Sequence, residues 1–397
     1  MLSVRDAYAI VLNQARDFGT ETIPLHQGIG RILREDWHSD RELPPYDRVT
    51  MDGIAVHYAT AVQQAQLVVA GVVAAGDPEA ELADPTQCLE IMTGAMLPRG
   101  CDTIIRYEDV TIENGRATIN ETYQQGQNIH TQGQDRQAGE LLVPAGTLLS
   151  ASEIGVGASV GRADIQVARF PKTIIISTGN ELVEVHETPA AHQIRRSNVY
   201  RLQATLNHWG LTVATAHLPD DEDLIVSALT TFVADYDLVV LSGGVSKGKF
   251  DFLPAALAKI GVEKHFHVIA QRPGKPLWFG THPVTKTTVF ALPGNPVSSF
   301  MCTQVYLQDW LKASLGQTIA PLPHGILQAE VRFKPALTYF LEVKIAYDAQ
   351  GRILAFPQQG NGSGDLANLL NADAFIRLPP DREYFGVGEV FPIYGYR

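Results

Sequence analysis

From Lys172 to about residue 315, short apolar runs alternate with amphipathic ones, and this alternation limits the possible folds more than any other feature. "KTIIIST" has the β-branched content of a strand. "SNVYRLQATLNHWG" follows, with Val199, Leu202, Leu206 and Trp209 on one helical face, Ser197 placed to cap its start and Gly210 to end it. Next come "LTVATAHL", the helical "DEDLIVSALTTFVADY", the strand "DLVVLS", a short "FLPAALAKIG" helix and "HFHVIAQ". "TTVFAL" then leads into "PVSSFMCTQVYLQDWLKASLG", whose Pro296 suits a first helical turn. The pattern predicts a doubly wound, mostly parallel sheet covered on both faces over 171–315.

Polar punctuation falls at the strand ends. "STGNEL" (177–182), "SGGVSKGKFD" (242–251), "RPGKP" (272–276) and "LPGNP" (292–296) each follow a predicted strand, so the four are expected to gather at one edge. Open α/β sheets bind ligands outside the carboxyl ends of their strands. The edge also collects Arg195, Arg196, Lys247, Lys249, Arg272 and Lys275 in a chain whose formal net charge is −12. A local cationic patch on an acidic chain points to a small anionic ligand and argues against nucleic acid or an anionic membrane surface. Any one such loop is accounted for as a turn; four together, two of them carrying Lys or Arg, favour a ligand edge. No GxGxxG opens the first helix and no GxxxxGK[ST] occurs, so neither a dinucleotide fingerprint nor a P-loop explains it.

With 397 residues, 45% of them hydrophobic, the chain can build two to four well-buried domains. No stretch reaches 18 apolar residues, and the N-terminus has no basic region followed by an apolar block. Cys88, Cys101 and Cys302 are scattered and outside CxxC spacing, which fits neither a disulfide framework nor a zinc site. A soluble, cytoplasmic protein is expected.

The first 170 residues open with a helix over 3–19 capped by Ser3, then turn to short strands, with a hairpin at Asn114-Gly115. "GELLVPAGTLLSASEIGVGASVG" reads as strand, turn and small-residue helix. The last 80 residues are again strand-like, with a hairpin at "YDAQGRIL". "QQGNGSGD" (358–365) is either a ligand-touching loop or a plain flexible turn, the turn being favoured. In "LPPYDRVTMDGIAV", Asp52 stands beside Gly53 among apolar residues, where a buried carboxylate would need partners. In "IMTGAMLPRGCDTIIRYEDV", Thr93-Gly94 stands at a strand end. Either stretch alone reads as an Asx or Thr turn.

Taken together, "PPYDRVTMDGIAV", "TGAMLPRGCDTIIRYED", "GQNIHTQGQD", "STGNELVE", "QIRRSN", "SGGVSKGKFD", "RPGKPLWFG" and "LPGNPVSS" resemble, in the same order, the motifs of the MoeA family of molybdopterin molybdenumtransferases, to which the gephyrin E domain is related. The resemblance implies insertion of molybdate into adenylylated molybdopterin with release of AMP, assisted by Mg²⁺. It carries four polar positions onto Asp52, Thr93, Glu181 and Asp251. By implication Glu181 and Asp251 hold Mg²⁺ or its water, while Asp52 and Thr93 reach in from the partner of a homodimer. Lys247, Arg272 and Lys275 would bind molybdate or phosphate. Gly243, Gly244, Ser246, Gly294, Asn295 and Ser298 would line the nucleotide pocket. The implied architecture is multidomain: an extended N-terminal domain (1–43 and 139–170) enclosing a β-rich insertion (44–138), a MogA-like α/β domain (171–315) and a C-terminal β-barrel (316–397). Implied partners are a MogA-like adenylyltransferase and cofactor-accepting molybdoenzymes.

The chain departs from that pattern in three places. "QIRRSN" puts Arg196 where relatives commonly have Asp. "NIHTQGQD" has His130 and Gln134 for Arg and Glu. "DRVTMDG" has Arg48, Val49 and Thr50 before the Met-Asp-Gly. Three readings follow: an active transferase in which Arg196 contacts the oxyanion directly, a paralogue that carries the cofactor without inserting metal, or an adenylyltransferase acting on molybdopterin.

Overall fold

The computed structural model describes residues 1–245 and 252–397, so Ser246, Lys247, Lys249 and Asp251 lie outside the described residues. Contacts divide the chain into two compact units: Met1–Thr22 with Ile29–Arg34 and Gln166–Arg397, and Ile23–Gly28 with Glu35–Ile165.

The first unit holds the alternating segment. In chain order it comprises β1 (Thr173–Thr178), α1 (Ser197–His208), β2 (Val213–Leu218), α2 (Glu222–Asp235), β3 (Leu238–Ser242), α3 (Leu253–Lys259), β4 (Glu263–His267), β5 (Trp278–Thr281), β6 (Thr288–Leu292) and α4 (Pro296–Cys302). The six strands form one sheet in the order β2-β1-β3-β6-β5-β4. The β2, β1, β3 and β6 strands run parallel; β5 is antiparallel to β6 and to β4, so β5 alone runs against the rest. Period-2 alternation sends Ile174, Ile176, Val239, Leu241, Val289 and Ala291 to one face, against α2 and α3. Ile175, Leu238, Val240, Phe290 and Leu292 go to the other, where Val199, Leu202 and Leu206 of α1 meet them. Each such fully buried side chain contributes about 1.5–3 kcal/mol. The helix Val4–Asn13 packs Ala7 and Val11 into the same core, and the Ser3 hydroxyl accepts from the Asp6 amide at 3.1 Å.

Two local expectations change. Helix α1 begins at Ser197 itself, with Arg196 as its N-cap and no side-chain cap, because the preceding residues pair with Leu182–Val183 up to Arg195. The strand before "RPGKP" is only Gln271–Arg272, and it pairs with Thr338–Tyr347 of the C-terminal sheet instead of the α/β sheet. That C-terminal sheet closes into a five-stranded barrel of Thr338–Tyr347, Ile353–Pro357, His324–Leu327, Val390–Gly395 and Ala374–Leu378, the last pairing back onto the first. The hairpin at "YDAQGRIL" is one of its connections.

The second unit is built on a six-stranded sheet ordered Thr103–Arg106, Gly53–Val56, Gln87–Ile91, Gln66–Val73, Arg116–Ile119, Val110–Glu113. Asn114 (φ 51°) and Gly115 (φ 73°) make the hairpin turn, both in the left-handed region that such a two-residue turn requires. Helix Ala151–Ser159 starts with Ser150 and Glu153 bonded reciprocally as a capping box. Among the described residues no helix is long and apolar enough to cross a membrane.

Candidate functional site

Strand ends β1, β3 and β6 bring three of the four loops together, and "RPGKP" joins them from the barrel side. The result is a crevice of two lobes, about 620 and 690 Å³. Thr178, Glu181, Ile194, Gly243, Gly294 and Asn295 line both. One lobe continues along Gln193 to Asn198; the other runs over Arg272 to Pro276 and Ser298.

Glycine makes this crevice possible at two points. Gly243 has φ +103°, a conformation that favours glycine, and the Gly294 backbone beside it would bring a Cβ only into ordinary contact, 3.6 Å from the Gly243 Cα. Gly179 has φ +132°, and a Cβ there would meet the Glu181 carboxylate at 2.3 Å. Glu181 thus folds back over a residue without a side chain. Its segment is fixed by the Ile194 amide donating to the Glu181 carbonyl at 2.8 Å, and by the Asn180 and Asp220 side chains each accepting from the other's backbone amide.

The turns are also clamped. Asn198 Nδ2 donates to the Gly294 carbonyl at 2.7 Å and to Ser242 Oγ at 3.2 Å. Buried Gln271 donates to the Gly274 carbonyl at 3.0 Å and accepts from the Tyr306 hydroxyl at 2.5 Å, holding the "RPGKP" turn. Arg272 and Lys275 are exposed and have no ion-pair partner among the described residues. Glu181 is the single carboxylate among the described residues lining the two lobes. Two unpaired cations beside bare backbone suit an oxyanion.

Arg196 does not supply a third free cation. It is 8% exposed, with Nη1 bonded to Glu184 and Nη2 donating to the Ala216 carbonyl at 3.1 Å. Arg196 lines the 620 Å³ lobe with its charge balanced by Glu184 and its Nε without a hydrogen-bond partner among the described residues. Its neighbour Arg195 is exposed at the same lobe and donates only through Nε, to the Glu187 carbonyl at 3.1 Å.

In the other unit Asp52 and Thr93 are brought together because Gly53 pairs with Ile91. Asp52 is exposed, not buried as its apolar neighbours suggested, and its Oδ1 accepts from the Thr93 amide at 2.6 Å and hydroxyl at 2.7 Å. These bonds, the backbone one foremost, hold its carboxyl below the usual carboxylate range. Sequence reasoning missed the Asn198 clamp and the Glu184 partner, and for the loop 358–365 it favoured a plain turn over a ligand-touching loop. Ser363 of that loop accepts from Asn295 Nδ2 at 2.8 Å through its hydroxyl and from the Val297 amide at 3.0 Å through its carbonyl, so the loop lines the crevice instead of hanging free. Its polar composition was the available signal.

Three family models match: "MoeA N-terminal region (domain I and II)" over residues 2–161, "Probable molybdopterin binding domain" over 174–313, and "MoeA C-terminal region (domain IV)" over 324–396. A relative from Synechocystis sp. named molybdopterin molybdenumtransferase is 38% identical over 400 residues, covering 100% of both chains. The chain belongs to the MoeA family. A Haemophilus influenzae relative of the same name is 33% identical over 99% of this chain and 98% of its own. Two solved structures of the molybdopterin biosynthesis MoeA protein from Pyrococcus horikoshii match with TM-scores of 0.84 and 0.83, at 29% and 26% identity, over 100% of this chain and 99% and 100% of theirs. The multidomain MoeA architecture, MogA-like sheet and terminal barrel included, is thus the fold of this chain.

Against the MoeA pattern, His130 and Arg48 are cross-strand partners. Arg48 Nη2 donates to His130 Nδ1 at 3.1 Å, and His130 Nε2 lies 2.9 Å from Asp135 Oδ1. Since Arg cannot accept, the imidazole takes its bond at Nδ1 and donates from Nε2 to the carboxylate. The guanidinium absent at 130 stands opposite it.

Proposed function

We propose that this MoeA-family chain is a molybdopterin molybdenumtransferase, inserting molybdenum from molybdate into adenylylated molybdopterin and releasing AMP. The observation that carries the reading is the two-lobed crevice, in which bare Gly243 and Gly294, Arg272 and Lys275 surround the one shared carboxylate, Glu181. A ligand with two parts joined by a phosphoanhydride fits two lobes joined at Glu181. Arg272 and Lys275 bind the oxyanion, and Asn295 and Ser298 line the lobe that receives it, with Lys247 and Ser246 added from the segment after Val245.

Mg²⁺ takes oxygen ligands and is commonly held by one or two carboxylates with substrate phosphate and water. Glu181, exposed and outside any ion pair among the described residues, suits such a site, with Asp251 as the second carboxylate. Such an ion would arrive with the substrate's phosphate. When bound it would neutralise charge on the phosphoanhydride.

The test is AMP release from adenylylated molybdopterin with and without molybdate and Mg²⁺, coupled to activation of an apo-molybdoenzyme. Release that requires both ions supports the reading; tight binding without release is the behaviour of a carrier and would overturn it.

The Asp52–Thr93 pair is assigned to the crevice of a partner subunit in a homodimer, and a MogA-like adenylyltransferase is the class of partner that would supply substrate. An equal mixture of Asp52→Ala and Glu181→Ala chains, reassembled, is expected to recover about a quarter of wild-type activity, since half the dimers then hold one intact site. No recovery above the separate variants would place Asp52 with its own subunit's site.

A further inference from the structure

One buried carboxylate is unused by this account. Along the barrel strand Thr338–Tyr347, Leu341 and Val343 point into the barrel core and Phe340 into the core beneath the α/β sheet. Glu342 stands among them at 8% exposure, with no Lys, Arg or His within ion-pair distance among the described residues. A carboxylate in such a place is unfavourable unless donors reach it. Burial pushes its carboxyl above the usual range, and the bonds from its own backbone amide and from Asn368 offset this only in part.

Glu342 lines a cavity of about 230 Å³ together with Arg272, Tyr339, Asn361 and Ser363. That cavity shares Arg272, Pro273 and Ser363 with the larger lobe of the crevice, so it opens from the end of the ligand site away from Asn198. Drug-sized ligands fill about 300–1,000 Å³. This space is therefore small for a nucleotide and suited to one ring system. Tyr339 borders it, with its ring packed towards the barrel core and stacked on Phe333 with centroids 4.2 Å apart.

We infer that Glu342 recognises the pterin ring of the substrate, accepting two N–H groups from its amino-pyrimidinone edge. That edge presents two parallel donors, as a guanidinium does, and a carboxylate accepts such a fork with both oxygens. The inference rests on the function proposed above, whose substrate has a pterin, and adds the residue that selects it. Replacement of the 2-amino group by oxygen removes one donor and turns an acceptor towards the carboxylate.

The experiment compares free pterin with lumazine, the 2-oxo analogue, as competitors of substrate and as direct ligands followed by fluorescence, in wild type and Glu342→Gln. The wild type is expected to bind pterin about tenfold or more tightly than lumazine. Glu342→Gln, close in shape, should lose that preference and raise KM for adenylylated molybdopterin, while AMP affinity and thermal melting stay unchanged. A wild type indifferent to the two rings, or a variant that keeps the preference, would overturn the inference. Failure of the wild type to release AMP strikes the functional reading instead, because ring selectivity is read without turnover.

Discussion

Glu181→Ala is expected to lower metal-dependent AMP release by about three orders of magnitude while the protein melts as the wild type does. Removal of a group that acts only on developing charge costs about 10²–10³ or more in turnover, because water does not reproduce its preorganised position. Among the described residues Glu181 is the only carboxylate in either lobe. Its stability contribution is small for the same structural reasons: it is exposed, outside any ion pair, and its backbone bond to Ile194 survives truncation. Surface substitutions of that kind stay within about 0.5 kcal/mol. Glu181→Gln separates charge from size and should be nearly as inactive. Near-normal release from either variant would remove Glu181 from the chemistry.

The second large effect is on stability. Gly53→Ala should destabilise the unit containing Glu35–Ile165 by about 3 kcal/mol or more, since overpacking against backbone cannot be relieved by a rotamer change. A Cβ on Gly53 would stand 1.9 Å from the Ile105 carbonyl oxygen and 2.8 Å from the Arg106 Cα. The strand it starts is paired on both sides, with Gln87–Ile91 and Thr103–Arg106, so neither neighbour can withdraw without breaking a ladder. Asp52 is the preceding residue, and the shift would also pull it from the two Thr93 donors. Denaturant unfolding of the variant, with the Asp52 titration followed beside it, measures both consequences. A midpoint equal to wild type would mean that the local backbone relaxes far more than the pairing allows.

The α/β sheet was legible because its strands are continuous apolar runs and its helices have one apolar face, as at Val199, Leu202 and Leu206. Strand direction was less legible: β5 alone runs against the other strands, and residue type does not encode which way a strand enters. The same limit hid the detour of Gln271–Arg272 into the barrel, where pairing partners are 67 residues away in sequence, Gln271 with Thr338 and Arg272 with Tyr339. At the site, loop positions and charged residue types could be read, but the state of each charge could not. Arg196 and Arg272 look alike in sequence; a carboxylate 12 positions back, Glu184, pairs with the first, while the second lies over the Phe333 ring and has no carboxylate partner among the described residues. Ser363 belongs to the crevice through contacts with Asn295 and Val297 that no local pattern announces.

The pairing of Arg48 with His130 has a bearing on how members of this family are compared. By position in the chain, Arg48 and His130 stand 82 residues apart. By place on the sheet they are one facing pair, a permanent cation bonded to an imidazole that reaches the Asp135 carboxylate. Deviant residues in this fold are better judged in facing pairs than singly.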